Sequence, residues 1–142
     1  MPLLNVVRGL VGAVIELLAA GDMEGGARRF MDTVLGPDAW DEQLTPQDKR
    51  TCINNAPTFL DEERDPEAGT LDLRALARFS HPALLTVGSA SPPLFPPVVG
   101  RVAEAIPGAR QHTFEGVGHI PHQTHPAEFV DVVTSFVQSV GV

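Results

Sequence analysis

The chain has 142 residues, one domain's worth of polypeptide, and 43% of them are hydrophobic, enough for a packed core. Charged residues make up 20%, too few for a disordered tail, and the formal net charge of -8 excludes an electrostatic hold on nucleic acid or an anionic membrane. The single cysteine, Cys52, has no partner for an internal disulfide or a metal knuckle and reads as a small apolar helix residue.

Residues 3 to 20 carry a helical period. Leu3, Val7, Leu10, Val14 and Leu17 form one apolar row, and Leu4, Val11, Ile15 and Leu18 form the next. Glu16 interrupts the run Leu10 to Ile15, so the stretch fits an amphipathic helix better than a signal peptide. No segment is long enough to span a bilayer, and a soluble, cytoplasmic protein is the expectation. Gly21 stops the first helix and Asp22 caps a second, with Ala27, Phe30, Met31 and Val34 on its inner side. Gly36-Pro37 ends it, and Trp40 follows in a short turn. Thr45-Pro46-Gln47-Asp48 is a helix start: Thr45 caps, Pro46 suits the first helical position and Asp48 reaches back. Pro57 breaks that helix before Phe59-Leu60, and Asp61 to Glu67 reads as a solvated acidic edge. A further short helix is expected over Thr70 to Phe79, with Leu73, Leu76 and Ala77 inward.

The character changes near residue 80. Pro82 to Val87 is an apolar run ending at Gly88, which reads as a strand buried on both faces. A helix with inner face Val98, Val102 and Ile106 follows and stops at Pro107-Gly108. Arg110 to Phe114 is a second strand. From Pro126 onward Phe129, Val132, Val133, Phe136, Val137 and Val140 form the inner stripe of a terminal helix. Strands joined by a helical crossover are parallel and right-handed. The division is therefore a helical region over 1–80 and a strand–helix–strand–helix region over 81–142.

Between the second strand and the last helix lies Gly116-Val117-Gly118-His119-Ile120-Pro121. Two glycines after a strand allow a sharp turn, which projects His119 from a sheet edge. An imidazole exchanges a proton near neutral pH without help from its surroundings, so His119 is either a catalytic group or a loop-capping histidine. His119, His122 and His125 are spaced three apart, but Pro121 and Pro126 interrupt the segment, which weighs against a shared helical face and a zinc site. Gly116-Val117-Gly118 is followed by no lysine or serine of the kind a phosphate loop needs.

Taken together, Pro82-Ala83-Leu84-Leu85-Thr86-Val87-Gly88, Pro107-Gly108-Ala109, Gly116-Val117-Gly118-His119, Pro121, His125-Pro126-Ala127-Glu128-Phe129 and Phe136-Val137 resemble the C-terminal end of the α/β-hydrolase fold. Residues 1–80 resemble the helical cap inserted before the last strands of that family. The resemblance implies an α/β chain, mostly helical, whose two strands run parallel. It implies cofactor-free and metal-free hydrolysis of an ester, lactone or related bond, with His119 as the triad histidine. It also implies a small apolar substrate under a roof of cap helices, with Trp40, Phe30 and Phe59 as pocket lining or as ordinary core.

Two departures stand out. No Gly-x-Ser-x-Gly elbow occurs; the nearest stretch, Gly88-Ser89-Ala90-Ser91-Pro92, ends in proline and falls where the family carries its acid. At that acid position stands Ser91. By this resemblance the chain is expected to hold the cap and the last two strands without the strands they pair with, as a fragment of a longer hydrolase or as a chain whose edge a partner covers. A two-stranded parallel sheet is marginal alone, so self-association or a partner on the open edge of the first strand is expected. The competing expectation is an inactive, truncated paralogue that serves as a binding or interaction module.

Overall fold

The computed structural model describes residues 2–67 and 70–141, with side-chain surroundings from residue 11 onward. The chain packs as two compact units, Met1–Thr70 and Leu71–Val142. No helix among the described residues is long and apolar enough to cross a membrane.

The first unit is all helix: α1 (Pro2–Ala19), α2 (Met23–Leu35), α3 (Ala39–Glu42), α4 (Pro46–Asn55) and α5 (Thr58–Glu63). The expected apolar rows of α1 begin at Leu3 and Leu4, and their side chains up to Leu10 lie outside the described residues. Gly21 takes a left-handed φ of 86°, which closes the turn into α2. The Asp22 carboxylate then accepts the Gly25 N–H at 2.8 Å. Val14 and Leu18 meet Ala27, Trp40 and Ala56 in one buried cluster, with Phe30 and Phe59 against it at a centroid distance of 4.6 Å. Trp40, Phe30 and Phe59 are therefore core of this unit. The Trp40 backbone N–H donates to Asp32 at 2.8 Å, and the Arg28 and Lys49 cations lie over its ring. The predicted start of α4 forms: Thr45 accepts the Asp48 N–H while the Asp48 carboxylate takes the Thr45 N–H.

The second unit contains α6 (Leu73–Leu76), β1 (Leu84–Gly88), α7 (Phe95–Ala105), β2 (Arg110–Phe114), α8 (Pro121–Thr124) and α9 (Pro126–Ser139). β1 and β2 pair in parallel, from Leu84 opposite Arg110 to Gly88 opposite Phe114, with α7 as the crossover. α6 packs on α7, so the change of character near residue 80 falls inside this unit.

Four expectations are corrected here. The helix over Thr70 to Phe79 shrinks to one turn. Asp72 takes the N–H groups of Arg74 and Ala75, which fixes the start at Leu73, and the turn buries no residue that would drive it further; Ala77 is exposed. β1 begins at Leu84 and is not buried on both faces: Leu84, Leu85 and Thr86 are half-buried, because β2 is its one strand neighbour among the described residues. On α7 one of the three residues expected on the inner face is turned out. Val98 is 48% exposed, while Val102 and Ile106 face inward and Val99 lines a cavity. On α9 the stripe is narrower than the sequence suggests, and Val137 is exposed. Phe129 stacks on the fully buried Phe114, and the Arg110 guanidinium lies 4.4 Å from the Phe136 ring centroid.

Two substitutions probe these packings separately. Leu18 is 1% exposed, so Leu18→Ala should destabilise the first unit by about 2–5 kcal/mol in a urea titration followed by the fluorescence of Trp40, the sole tryptophan. A Cβ at Gly88 would lie 2.2 Å from the carbonyl oxygens of both Val117 and Gly118. Gly88→Ala should therefore force a backbone shift costing about 1–3 kcal/mol and strip hydrogen-exchange protection from the Ser89 and Ala90 amides.

Candidate active site

The site is built from two loops that leave the same end of the sheet. After β2, Gly116 adopts φ 71°, a value that side-chain-bearing residues avoid, and the chain doubles back. After β1, Gly88 lies against the carbonyl groups of Val117 and Gly118 with no room for a side chain. Hydrogen bonds lock the two loops. The Ser89 N–H donates to the Phe114 carbonyl at 2.9 Å and the Ala90 N–H to the Val117 carbonyl at 3.0 Å. The Gly116 N–H donates in the other direction, to Ser89 Oγ at 2.8 Å. The position of His119 is thereby fixed by the sheet register and not by the loop alone.

His119 is half-buried, and its ring stacks on Phe95 with centroids 3.8 Å apart and planes at 23°. The ring borders a cavity of about 250 Å³. Its walls are Thr86, Val87 and Gly88 of β1, Ser91, Phe95 and Val99 on the side of α7, and His119, Pro121, His122 and Phe129 from the segment after β2. Thr86 and Val87 are neighbours on a strand and point to opposite faces. A cavity that reaches both, together with Gly88, lies at the carboxyl end of β1.

Burial pushes the His119 pKa below the ordinary histidine value, and the nearby His122 pushes it further the same way. No carboxylate lies on the cavity wall to oppose them among the described residues. Both causes favour the neutral imidazole, the form that accepts a proton. His122 sits edge-on to Phe129 at 5.9 Å, on the same wall. His125 is elsewhere: it is exposed and pairs with the Thr124 hydroxyl at 2.9 Å. The three histidines do not converge, and among the described residues no group of three metal-ligating side chains forms. Cys52 lies in the other unit, where burial raises its thiol pKa.

Ser91 is buried, and its hydroxyl has no hydrogen-bond partner. Phe95, the residue under His119, escapes sequence reasoning: Pro92-Pro93-Leu94-Phe95 announces a helix start but not which ring the phenyl will meet. Thr86 is hidden in the same way, inside an apolar run.

The chain matches the model of the alpha/beta hydrolase family over residues 2–132. No curated protein sequence matches it. Among solved structures it is similar to the carboxylesterase CesB (YbfK) from Bacillus subtilis, with 18% identity and a TM-score of 0.64, over 84% of this chain and 42% of that one. It is similar to the esterase RhEst1 from Rhodococcus sp. ECU1013, with 18% identity and a TM-score of 0.60, over 83% of this chain and 42% of that one. It is also similar to Est816, described as an N-acyl homoserine lactone degrading enzyme, with 19% identity and a TM-score of 0.59, over 89% and 50%. The chain thus spans half or less of the length of these three proteins. With the parallel strand pair, the crossover helix and the glycine turn bearing His119 in place, the match over nearly the whole sequence makes this chain a member of the alpha/beta hydrolase family.

Proposed function

We propose that the chain supplies the histidine-bearing part of a cytoplasmic hydrolase that cleaves ester or lactone bonds in a small apolar substrate. The observation that carries this reading is the place of His119, on a pinned loop at the wall of a largely apolar cavity, where burial favours its neutral form. A neutral imidazole removes the proton of an attacking hydroxyl or water. The hydroxyl oxygen bonds to the acyl carbon, the carbon–oxygen bond to the alcohol breaks, and the imidazolium returns its proton to the departing alkoxide. The esterases and the lactone-degrading enzyme among the similar folds support the bond class.

The sequence carries no Gly-x-Ser-x-Gly elbow, so on this reading the covalent nucleophile comes from the remainder of a hydrolase to which this chain corresponds in part. The same observation favours a second reading, a family member that binds an ester without cleaving it.

Hydrolysis of 4-nitrophenyl butyrate separates the two. Lacking the nucleophile, the chain alone should show no acyl-enzyme burst and only slow release of nitrophenol by attack of water, and His119→Ala should remove what release exceeds the buffer rate. The rate should rise with pH as His119 loses its proton, with a midpoint below the ordinary histidine value of 6.5, and level off above it. Equal rates in both proteins would remove His119 from catalysis, and saturable ester binding without turnover would then support the binding module. Stability should follow the same ionisation. The folded imidazole binds a proton less readily than the unfolded one, so the contribution is intact above the ordinary histidine range. It is lost as pH falls from there through the folded pKa.

The unpaired edge of β1 adds a proposal about assembly: a second copy or a partner chain covers it. Sedimentation velocity should find a dimer or larger species. A monodisperse monomer with a sharp thermal transition would argue against that assembly.

A further inference from the structure

Ser91 poses a question that the glycine turn does not answer. Its side chain is 7% exposed, and its Oγ is sealed from solvent without a hydrogen-bond partner. Buried hydroxyls are ordinarily paired, and an orphan points to a group that engages it in another state of the site. Ser91 lies on the loop after β1, whose neighbouring residues Ser89 and Ala90 are bonded directly to the histidine loop. Both Ser91 and His119 border the 250 Å³ cavity.

The other polar residues on that wall are Thr86 and His122. Thr86 belongs to β1 itself, and His122 acts on His119 only as a second imidazole that disfavours its protonation. Among the described residues the other buried side-chain polar atom without a partner, His112 Nε2, belongs to β2, and His112 lines a different groove with Arg110 and Asp131.

We infer that Ser91 is the positioning residue of His119: its buried, unpaired hydroxyl accepts the imidazole N–H and so selects the tautomer whose second nitrogen faces the cavity as a base. A hydroxyl has the lone pairs for this bond. It is uncharged, so it orients the ring without stabilising the imidazolium as a carboxylate would. The ring stacks on Phe95 in the present state, and the bond closes as it leaves that stack when a ligand enters. This assignment rests on the reading of His119 as a base, but its test does not depend on turnover.

The test is a pH titration of the histidine ring nitrogens by ¹⁵N NMR in the whole chain, comparing wild type with Ser91→Thr, Ser91→Ala and Ser91→Asp. Ligand entry is mimicked by adding butyrate, the product of the ester above. With butyrate present, Ser91→Ala should shift the His119 tautomer balance while His122 and His125 keep theirs. Ser91→Thr, which retains the hydroxyl, should resemble wild type. Ser91→Asp should raise the His119 midpoint by about one pH unit or more, because the new carboxylate favours the imidazolium. A merely structural role for Ser91 would lower the melting temperature without moving the His119 nitrogens. Identical His119 tautomer balance and midpoint in all four proteins would overturn the inference. If Ser91→Ala does not fold, the contrast between the Thr and Asp variants decides alone. Coupling between positions 91 and 119 in a protein whose hydrolysis is indifferent to His119→Ala would sink the hydrolase reading and leave the Ser91 assignment standing. Turnover that needs His119 without that coupling would do the reverse.

Discussion

The second unit depends on a contact that leaves no room for a side chain. At the end of β1 the backbone of Gly88 touches the carbonyl groups of Val117 and Gly118, and the Cβ of any other residue would sit 2.2 Å from two oxygens. Around it, the amides of Ser89 and Ala90 donate into the β2 side, and the Gly116 amide donates back to Ser89 Oγ. Loops are ordinarily the mobile part of a domain. These two are tied as one piece, so the parallel register of Gly88 opposite Phe114 sets where His119 stands.

Charge enters the two units differently. In the first, Asp41 bonds to both Arg28 and Lys49 around the Trp40 ring, and all of these charges stay at the surface. Exposed ion pairs of that kind contribute little, so the stability of this unit rests on burying Trp40, Leu18 and Val14. In the second, the half-buried His119 and the exposed His122 border a cavity walled by Phe95, Phe129, Val87 and Val99, with no carboxylate among the described residues. There the surroundings bear on chemistry as well as on folding. They favour the neutral imidazole and leave two hydroxyls, Thr86 and Ser91, as its uncharged company.

What the sequence made legible is what neighbouring residues decide among themselves. The reciprocal cap of Thr45 and Asp48, the stop at Gly21, the cap at Asp22 and the glycine turn before His119 all follow from local backbone chemistry, and all form. The pattern also reveals the strand–helix–strand order, because period and punctuation are local. The inner face of α7 is another matter. Val98 and Val99 are adjacent and equally apolar, and which one turns inward depends on the sheet beneath them. The same holds for Phe95 under His119 and for Trp40, whose place in the core depends on helices distant in sequence. β1 was over-buried by its composition: a run of apolar residues says that a strand can be covered on both faces, not that its neighbours are present.

The burial pattern of the strands explains how a sheet of two can still carry a defined site. Along β1 the residues pass from half-buried at Leu84, Leu85 and Thr86 to buried at Val87 and Gly88. Along β2 they pass from exposed at Arg110 and Gln111, through His112 and Thr113, to the fully buried Phe114. Both gradients run toward the carboxyl ends of the strands, where ligands bind in open α/β sheets. Phe114 closes that end from below by stacking on Phe129, which also lines the cavity wall beside His122. The loops bearing Ser91 and His119 spring from the end where packing is complete, so the geometry of the site draws on the best-built part of the unit.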